Sequence, residues 1–282
     1  MHYGIYLPNF GAEVSALALA ELAKEAEIAG WDGFFLWDQI LESTSERLRI
    51  VDPWITLTAI GMSTERIRFG TIVTPIARRR PWKLARETST LDNLSGGRLI
   101  LGVGLGDPPE AEFKYFGEET DNKVRAAKLD EGLDILIGLW RGKPFSYQGR
   151  QYKVKETVFV PTPMQLPRIP IWVGGFWPNK APFRRAARWD GVIPLKQKGM
   201  MTPDDVRDLL SFIQQHRSSD EIFDVAIIGN RETHGKGDLK GAKKVAQFAE
   251  AGATWWLEDL YMSRNSMEEI RSCILLGPPK ED

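Results

Sequence analysis

Residues 67–107, IRFGTIVTPIARRRPWKLARETSTLDNLSGGRLILGVGLGD, read as a strand, a helix and a second strand. Two apolar runs, Ile67 to Val73 and Leu99 to Val103, flank a segment in which Leu84, Thr88, Leu91 and Leu94 recur at helical spacing. This is a βαβ unit, the building block of parallel sheets. The first strand runs out at Thr74-Pro75 and the second into Gly102-Val103-Gly104-Leu105-Gly106-Asp107, so permissive or rigid backbone punctuates both carboxyl ends. In parallel α/β sheets that edge is where ligands bind.

The same pattern extends in both directions. Further strand runs lie at 3–8, 33–37, 170–174, 190–194, 222–228 and 254–258, alongside those at 67–73 and 99–103. Helical patterns alternate with them. Leu22, Ala26 and Ala29 stop at Gly30; Asp52-Pro53 opens a helix carrying Ile55, Ala59 and Met62; Leu129, Leu133, Leu136 and Trp140 share a face. Thr202-Pro203-Asp204-Asp205 puts a hydroxyl at an N-cap, proline at the first helical position and carboxylates in the first turn, ahead of Val206, Leu209, Leu210 and Ile213. Ala242, Val245, Ala246 and Ala249 then run to Gly252. Eight strand-helix repeats in 282 residues predict an α/β fold of the (β/α)8 TIM-barrel type, formed as one domain over 1–282. The rhythm breaks at about 142–169, where PFSYQGRQYKV sets aromatic and β-branched residues around a Gln148-Gly149 turn and PTPMQLPRIP follows. That predicts a β-hairpin inserted before strand five, covering one barrel end, with a passive surface excursion as the alternative.

Bulk properties exclude several function classes. A net charge of -1, with no like-charge block longer than Arg78-Arg79-Arg80, argues against nucleic acid and anionic membrane as partners. The single cysteine, Cys273, excludes an intrachain disulfide and reads as a buried, inert thiol. His2, His216 and His234 are scattered and lack metal-ligand spacing. MHYGIYLPNFG enters a strand directly, without a signal-peptide pattern, and no apolar run reaches membrane-spanning length, so a cytoplasmic protein is expected.

In a barrel, the residues at the strand exits are the candidates for chemistry. They are Pro8-Asn9-Phe10, Trp37-Asp38-Gln39, Thr71 to Pro75, Gly104 to Asp107, Gly174-Gly175-Phe176-Trp177 and Glu258-Asp259. No Ser/His/Asp or Cys/His pair is among them, and no lysine lies within a strand run to form a Schiff base, so hydrolase and aldolase readings lose support. Gly174-Gly175 leads into Asn179-Lys180-Ala181-Pro182, a helix start whose N-H groups suit a phosphate, with Arg184 and Arg185 close behind; a tight turn needing glycine is the plainer reading. Gly102-x-Gly-x-Gly lacks the Rossmann arrangement, but glycines at a strand end can clear side chains from beneath a flat ligand. Asp107 and Asp38 are candidate proton-transfer groups or, more plainly, turn and capping residues. Among ten tryptophans, Trp37, Trp172 and Trp177 lie near strand exits, where they could sandwich a planar ring. The Arg78-Arg79-Arg80 run reads as a solvated face or a helix-entry anchor.

Taken together, GTIVTP, RRRPWKLARETSTLDNLSGGR and LGVGLG, with KLDEGLDILIGLW, FSYQGRQY, PMQLPRIPIWVGG and AARWDGVIP, resemble the bacterial luciferase-like monooxygenase family over essentially the whole chain. The resemblance implies a barrel that binds reduced FMN, or the deazaflavin coenzyme F-420, at its carboxyl end. It also implies that the ring rests on a bulge at Thr71-Ile72-Val73, often with a non-prolyl cis peptide, beside Gly104. The phosphate falls at Gly174-Gly175, with Phe176 and Trp177 adjoining. Asp107 matches a proton-donor position of some deazaflavin relatives, while Asn9, Phe10 and Trp37 fall to the substrate pocket. Many members carry histidine directly after the strand-two aspartate; here Asp38 is followed by Gln39, which hydrogen-bonds but does not titrate near neutral pH.

The leading expectation is a two-component monooxygenase, in which FMN reduced by a partner flavin reductase passes one oxygen atom of O2 to a small organic substrate. Hydride transfer with F-420 is the alternative, and a non-catalytic flavin-binding barrel is the alternative of another class. A barrel isomerase or hydrolase acting on phosphorylated sugars lacks acid-base residues. Relatives commonly form homodimers, so a homodimer is expected.

Overall fold

The computed structural model describes residues 1–42, 48–229, 235–261 and 266–279. His234 lies outside them. In chain order the elements are β1 (His2–Leu7), α1 (Ala16–Ala29), β2 (Gly33–Leu36), α2 (Pro53–Ser63), β3 (Arg68–Pro75), α3 (Pro81–Leu94), β4 (Leu99–Gly104), α4 (Pro109–Glu112) and α5 (Asn122–Trp140). There follow β5 (Phe145–Gln148), β6 (Lys153–Thr157), β7 (Ile171–Trp177), α6 (Lys180–Ala186), β8 (Gly191–Lys196), α7 (Pro203–Gln214), β9 (Asp224–Gly229), α8 (Leu239–Glu250), β10 (Trp255–Asp259) and α9 (Met267–Leu275). Eight of the strands close a parallel barrel in the order β1-β10-β9-β8-β7-β4-β3-β2, so all eight strand runs read from the sequence are present. Strand five of the barrel is β7, and it pairs directly with β4, with the β5-β6 hairpin left outside the ladder.

Two cores follow from the period-two alternation of strands inside a ring of helices. Outward-facing residues such as Ile5, Leu7, Phe34 and Val173 pack against the helices, whereas Phe35, Ile100, Trp172, Trp255 and Leu257 fill the barrel interior. Three large aromatics fit there because their neighbours are small. Trp172 lies 5.5 Å from Phe35 and 5.4 Å from Trp255, while a Cβ on Gly33 would come within 2.6 Å of the Phe35 ring and one on Gly191 within 2.5 Å of Trp172. Trp172 is therefore fully buried core, and the expectation that it sandwiches a ligand ring is corrected.

The caps behave as their chemistry demands. Thr202 and Asp205 form the reciprocal capping box at the start of α7, and Asp52 caps α2 ahead of Pro53. Between Thr71 and Thr74 the β3-β4 register shifts, and the Ile72-Val73 peptide bond is cis, in the segment where the family resemblance put a bulge.

The hairpin forms as read and packs beside the outer helices. Glu131 of α5 accepts hydrogen bonds from the backbone N-H groups of Arg150, Gln151 and Tyr152, and the Tyr152 ring meets Trp82 of α3 edge-on. The chain then runs along α3 to Asp92, which accepts from the N-H groups of Met164 and Gln165. The insertion is thus strapped along the outer helices. Cys273 is partly exposed, not buried as expected. Among the described residues, no helix is long and apolar enough to cross a membrane, and no cluster of three or more potential ligands could hold a metal ion.

Candidate active site

Alternation decides which side chains reach the mouth. On β1 the inward phase ends at Tyr6, and on β10 it runs through Trp255 and Leu257 to Asp259. At the carboxyl end of the barrel Tyr6 and Asp259, with Trp37, Lys196, Ile228, Met201 and Tyr261, line a cleft of about 310 Å³. That volume lies at the lower edge of the range for small-molecule sites, roughly 300–1,000 Å³.

One wall is aromatic. The Trp37 indole stacks on Tyr261 at 5.3 Å and on Tyr6 at 5.6 Å, and Phe10 meets both Trp37 and Tyr261 edge-on. Phe10 is buried and supports this wall from behind. The Tyr6 hydroxyl donates to the Ile72 carbonyl at 3.3 Å, reaching past β2 to the bulge in β3. Burial, reinforced by the Asp259 carboxylate, pushes the Tyr6 phenol well above its ordinary value, so it keeps its proton.

The glycines at the exits of β4 and β7 accommodate the protein's own bulge. A Cβ on Gly104 would lie 2.5 Å from Val73 Cγ2, and one on Gly174 would lie 2.9 Å from Val73 Cγ1. A Cβ on Gly102 would collide with the Thr71 carbonyl. The expectation that these glycines clear side chains from beneath a ligand is corrected, because Val73 fills the space. Ile72 joins the barrel interior, and Thr71 is fully buried, its hydroxyl near the Gly102 carbonyl and 2.8 Å from the Thr74 hydroxyl oxygen.

Gly175 faces the other way. A Cβ there would run into Pro182, so close packing of α6 requires glycine. The Trp177 side chain also turns outward, against Phe183 and Phe212, with the Lys180 ammonium 3.6 Å over its ring. Its indole is therefore removed from the mouth, which corrects its assignment as a ring contact. Phe176 is half-buried and shares the inward phase with Gly174. Arg185 pairs with Asp130 on α5, and Arg184 is exposed in the last turn of α6.

Asp38 is buried and saturated. Its Oδ1 accepts from Arg78 at 2.6 Å and Arg79 at 2.8 Å; its Oδ2 accepts from Thr74 at 2.7 Å, Arg79 at 2.9 Å and Trp54 at 3.3 Å. Arg78 also pairs with the buried Glu112 of α4, whose Oε1 accepts from the Ile40 N-H. Burial pulls the Arg78 guanidinium below its ordinary value, and Asp38 pulls it back. This ionic cluster ties the exits of β2, β3 and β4 together, with the arginine run as helix-entry anchor. A carboxylate held by four donors is an anchor, so the expectation of Asp38 as a catalytic acid is corrected.

Asn9 is likewise spent on architecture. Its amide donates to the Gln39 and Val51 carbonyls at 2.8 Å each and accepts from the Gln39 N-H at 3.1 Å, so it pins two exit loops and does not line the cleft. Gln39 Nε2 donates to the Asp107 carbonyl at 3.3 Å, while Gln39 Oε1 and Trp37 Nε1 are buried without hydrogen-bond partners. The Asp107 side chain is exposed on the turn beyond Gly106, where its charge acts on Arg125. Asp259, one of the strand-exit candidates, lines the cleft, as do Tyr6, Lys196 and Tyr261, which sequence reasoning did not select. Period-two counting on β1 would have found Tyr6, and on β10 it separates Asp259 from Glu258. Lys196 carries no such signal, and its ammonium is held by Asp205 of α7 at 2.8 Å.

A closed parallel barrel with its cleft at the carboxyl end is shared by many enzymes, and sequence comparison narrows the choice. Residues 1–253 match the profile described as luciferase-like monooxygenase. The chain belongs to that family. An uncharacterized protein of Mycobacterium tuberculosis is 31% identical over 212 residues, 70% of each chain. The F420-dependent glucose-6-phosphate dehydrogenase of Nakamurella multipartita is 31% identical over 199 residues, covering 67% of this chain and 57% of that enzyme. The coenzyme F420-dependent tetrahydromethanopterin reductase from Methanopyrus kandleri superposes with a TM-score of 0.75 at 19% identity, over 97% of this chain and 96% of that one. The family is one of flavin- and deazaflavin-dependent oxidoreductases.

Proposed function

We propose that this family member is a hydride-transfer oxidoreductase that uses the deazaflavin coenzyme F-420. The observation that carries the choice of coenzyme is the 31% identity, across two thirds of this chain, with an F420-dependent dehydrogenase. The leading expectation from sequence, a two-component monooxygenase using reduced FMN, becomes the second reading, supported by the family's name.

The residues at the mouth fit a planar tricyclic ring. Trp37, Tyr6 and Tyr261 supply an aromatic wall, and the orphaned Trp37 Nε1 and Gln39 Oε1 offer a donor and an acceptor to polar ring edges. The bulge at Ile72-Val73, backed by Gly104 and Gly174, serves as the floor. Backbone N-H groups at the exit of β7, beside Gly174 and Gly175, take the phosphate. When bound, the coenzyme supplies a two-electron hydride acceptor. The protein's part is to orient ring and substrate and to take up the substrate's proton.

Equilibrium titration of the purified protein with oxidised F-420 and, separately, with oxidised and reduced FMN tests the reading by fluorescence quenching. F-420 is expected to bind at least about tenfold tighter, a difference of about 1.4 kcal/mol. Preference for reduced FMN would return the monooxygenase reading and its partner reductase to first place.

A further inference from the structure

We propose that Asp259, at the carboxyl end of β10, accepts the hydroxyl proton when the substrate alcohol is oxidised. The inference rests on the deazaflavin dehydrogenase reading and names the residue that completes its chemistry. For each hydride removed from an alcohol carbon, the hydroxyl must lose a proton, so the mouth needs an acceptor within reach of the cleft.

Among the described residues, the other acid-base groups near the mouth are less well suited by position or chemistry. Gln39 does not titrate in the working range. Both oxygens of Asp38 are held by two arginines, a threonine and an indole, and Glu112 is held by Arg78 and the Ile40 N-H. Glu258 lies on the outward phase of β10 and accepts from Trp256 Nε1 at 2.9 Å. Asp107 is exposed beyond the cleft, Lys196 is a cation paired with Asp205, and the Tyr6 phenol donates to the Ile72 carbonyl.

Asp259 differs in position. It is on the inward phase of its strand and lines the cleft. It is also the register partner of Tyr6 on the adjacent strand, about one strand spacing, roughly 4.8 Å, away. Because Tyr6 touches the bulge that the proposed function makes the floor of the ring, Asp259 stands beside the place where substrate and ring meet. The step balances. The O-H bond breaks and its proton goes to an Asp259 oxygen, while the C-H bond breaks and its electron pair leaves as hydride to the oxidised deazaflavin. A C=O bond forms, the alcohol is oxidised by two electrons, and the coenzyme is reduced by two.

The test uses the whole protein loaded with F-420, with isopropanol, cyclohexanol and glucose 6-phosphate as probes, in wild type, Asp259→Asn and Asp259→Glu. Asp259→Asn is expected to lower kcat on the oxidised probe by about 10² to 10⁴, the usual share of a general base. Its KM, F-420 affinity, melting temperature and binding of trifluoroisopropanol by fluorine NMR in the absence of coenzyme are expected to stay unchanged, and Asp259→Glu to recover part of the rate. A loss of kcat below about tenfold, or a parallel fall in melting temperature and coenzyme affinity, would overturn the role. F-420 binding with no probe oxidised by wild type would also overturn it while leaving the coenzyme reading intact. Failure to bind F-420 would remove the reading on which the role rests.

Discussion

Replacing Asp38 with asparagine removes one negative charge while preserving shape, and the structure assigns the consequence to stability. Asp38 holds Arg78 at 2.6 Å and Arg79 at 2.8 Å, and its side chain is 1% exposed. Removing one partner of a buried ion pair costs about 3–5 kcal/mol, because the remaining charge is left without compensation. Arg78 keeps Glu112 and the Asp38 backbone carbonyl at 2.9 Å, whereas Arg79 keeps only a distant stacking contact with Trp54 at 5.8 Å. The low end of the range, about 3 kcal/mol, is therefore expected. At roughly 2–4 °C per kcal/mol for a domain of this size class, the melting temperature falls by about 6–12 °C. Urea unfolding at constant slope measures the loss, and Asp38→Asn with Arg79→Met recovers part of it by removing the orphaned cation. A loss below about 1 kcal/mol, with turnover abolished, would refute this reasoning and return Asp38 to the chemistry.

Three further outcomes follow from the packing and titration of named residues. Trp177→Ala removes an indole held between Phe183, Phe212 and Lys180, and should cost about 3–5 kcal/mol in urea unfolding while leaving coenzyme affinity unchanged. Gly174→Ala sets a methyl 2.9 Å from Val73 Cγ1 and should cost about 1–3 kcal/mol in thermal unfolding, with Val73→Ala in the same chain restoring part of it. Burial pushes the Tyr152 phenol up to about 12, with Arg80 opposing, so the native state holds its proton where the unfolded chain has released it. Stability should fall as pH rises from the ordinary value of 10.0 toward about 12, and unfolding of Tyr152→Phe over that range should show a shallower decline.

How far the sequence could be read differs between fold and site. Each barrel strand announced itself as an apolar run bounded by glycine, proline or a cap, and the Gln148-Gly149 turn marked the hairpin. These signals are local, a few residues long, and survive without knowledge of neighbours. The site depends on longer range. Asp38 looks like a free acid until Arg78 and Arg79, forty residues on, fold back over it. Gly104 and Gly174 look like openings for a ligand until Val73 enters from β3. Trp172 and Trp177 are five apart on one strand and so face opposite ways, which strict alternation from Trp172 would have shown. The same counting from Trp255 through Leu257 reaches Asp259.

The most direct test of the account is the visible absorbance of oxidised F-420 mixed with the protein and the alcohol probes, with and without oxygen. The account predicts a substrate-dependent loss of the oxidised coenzyme at the same rate in both, with the matching carbonyl product accumulating in equal amount. Product formation that requires both oxygen and reduced FMN, with oxidised F-420 left unchanged, would contradict it.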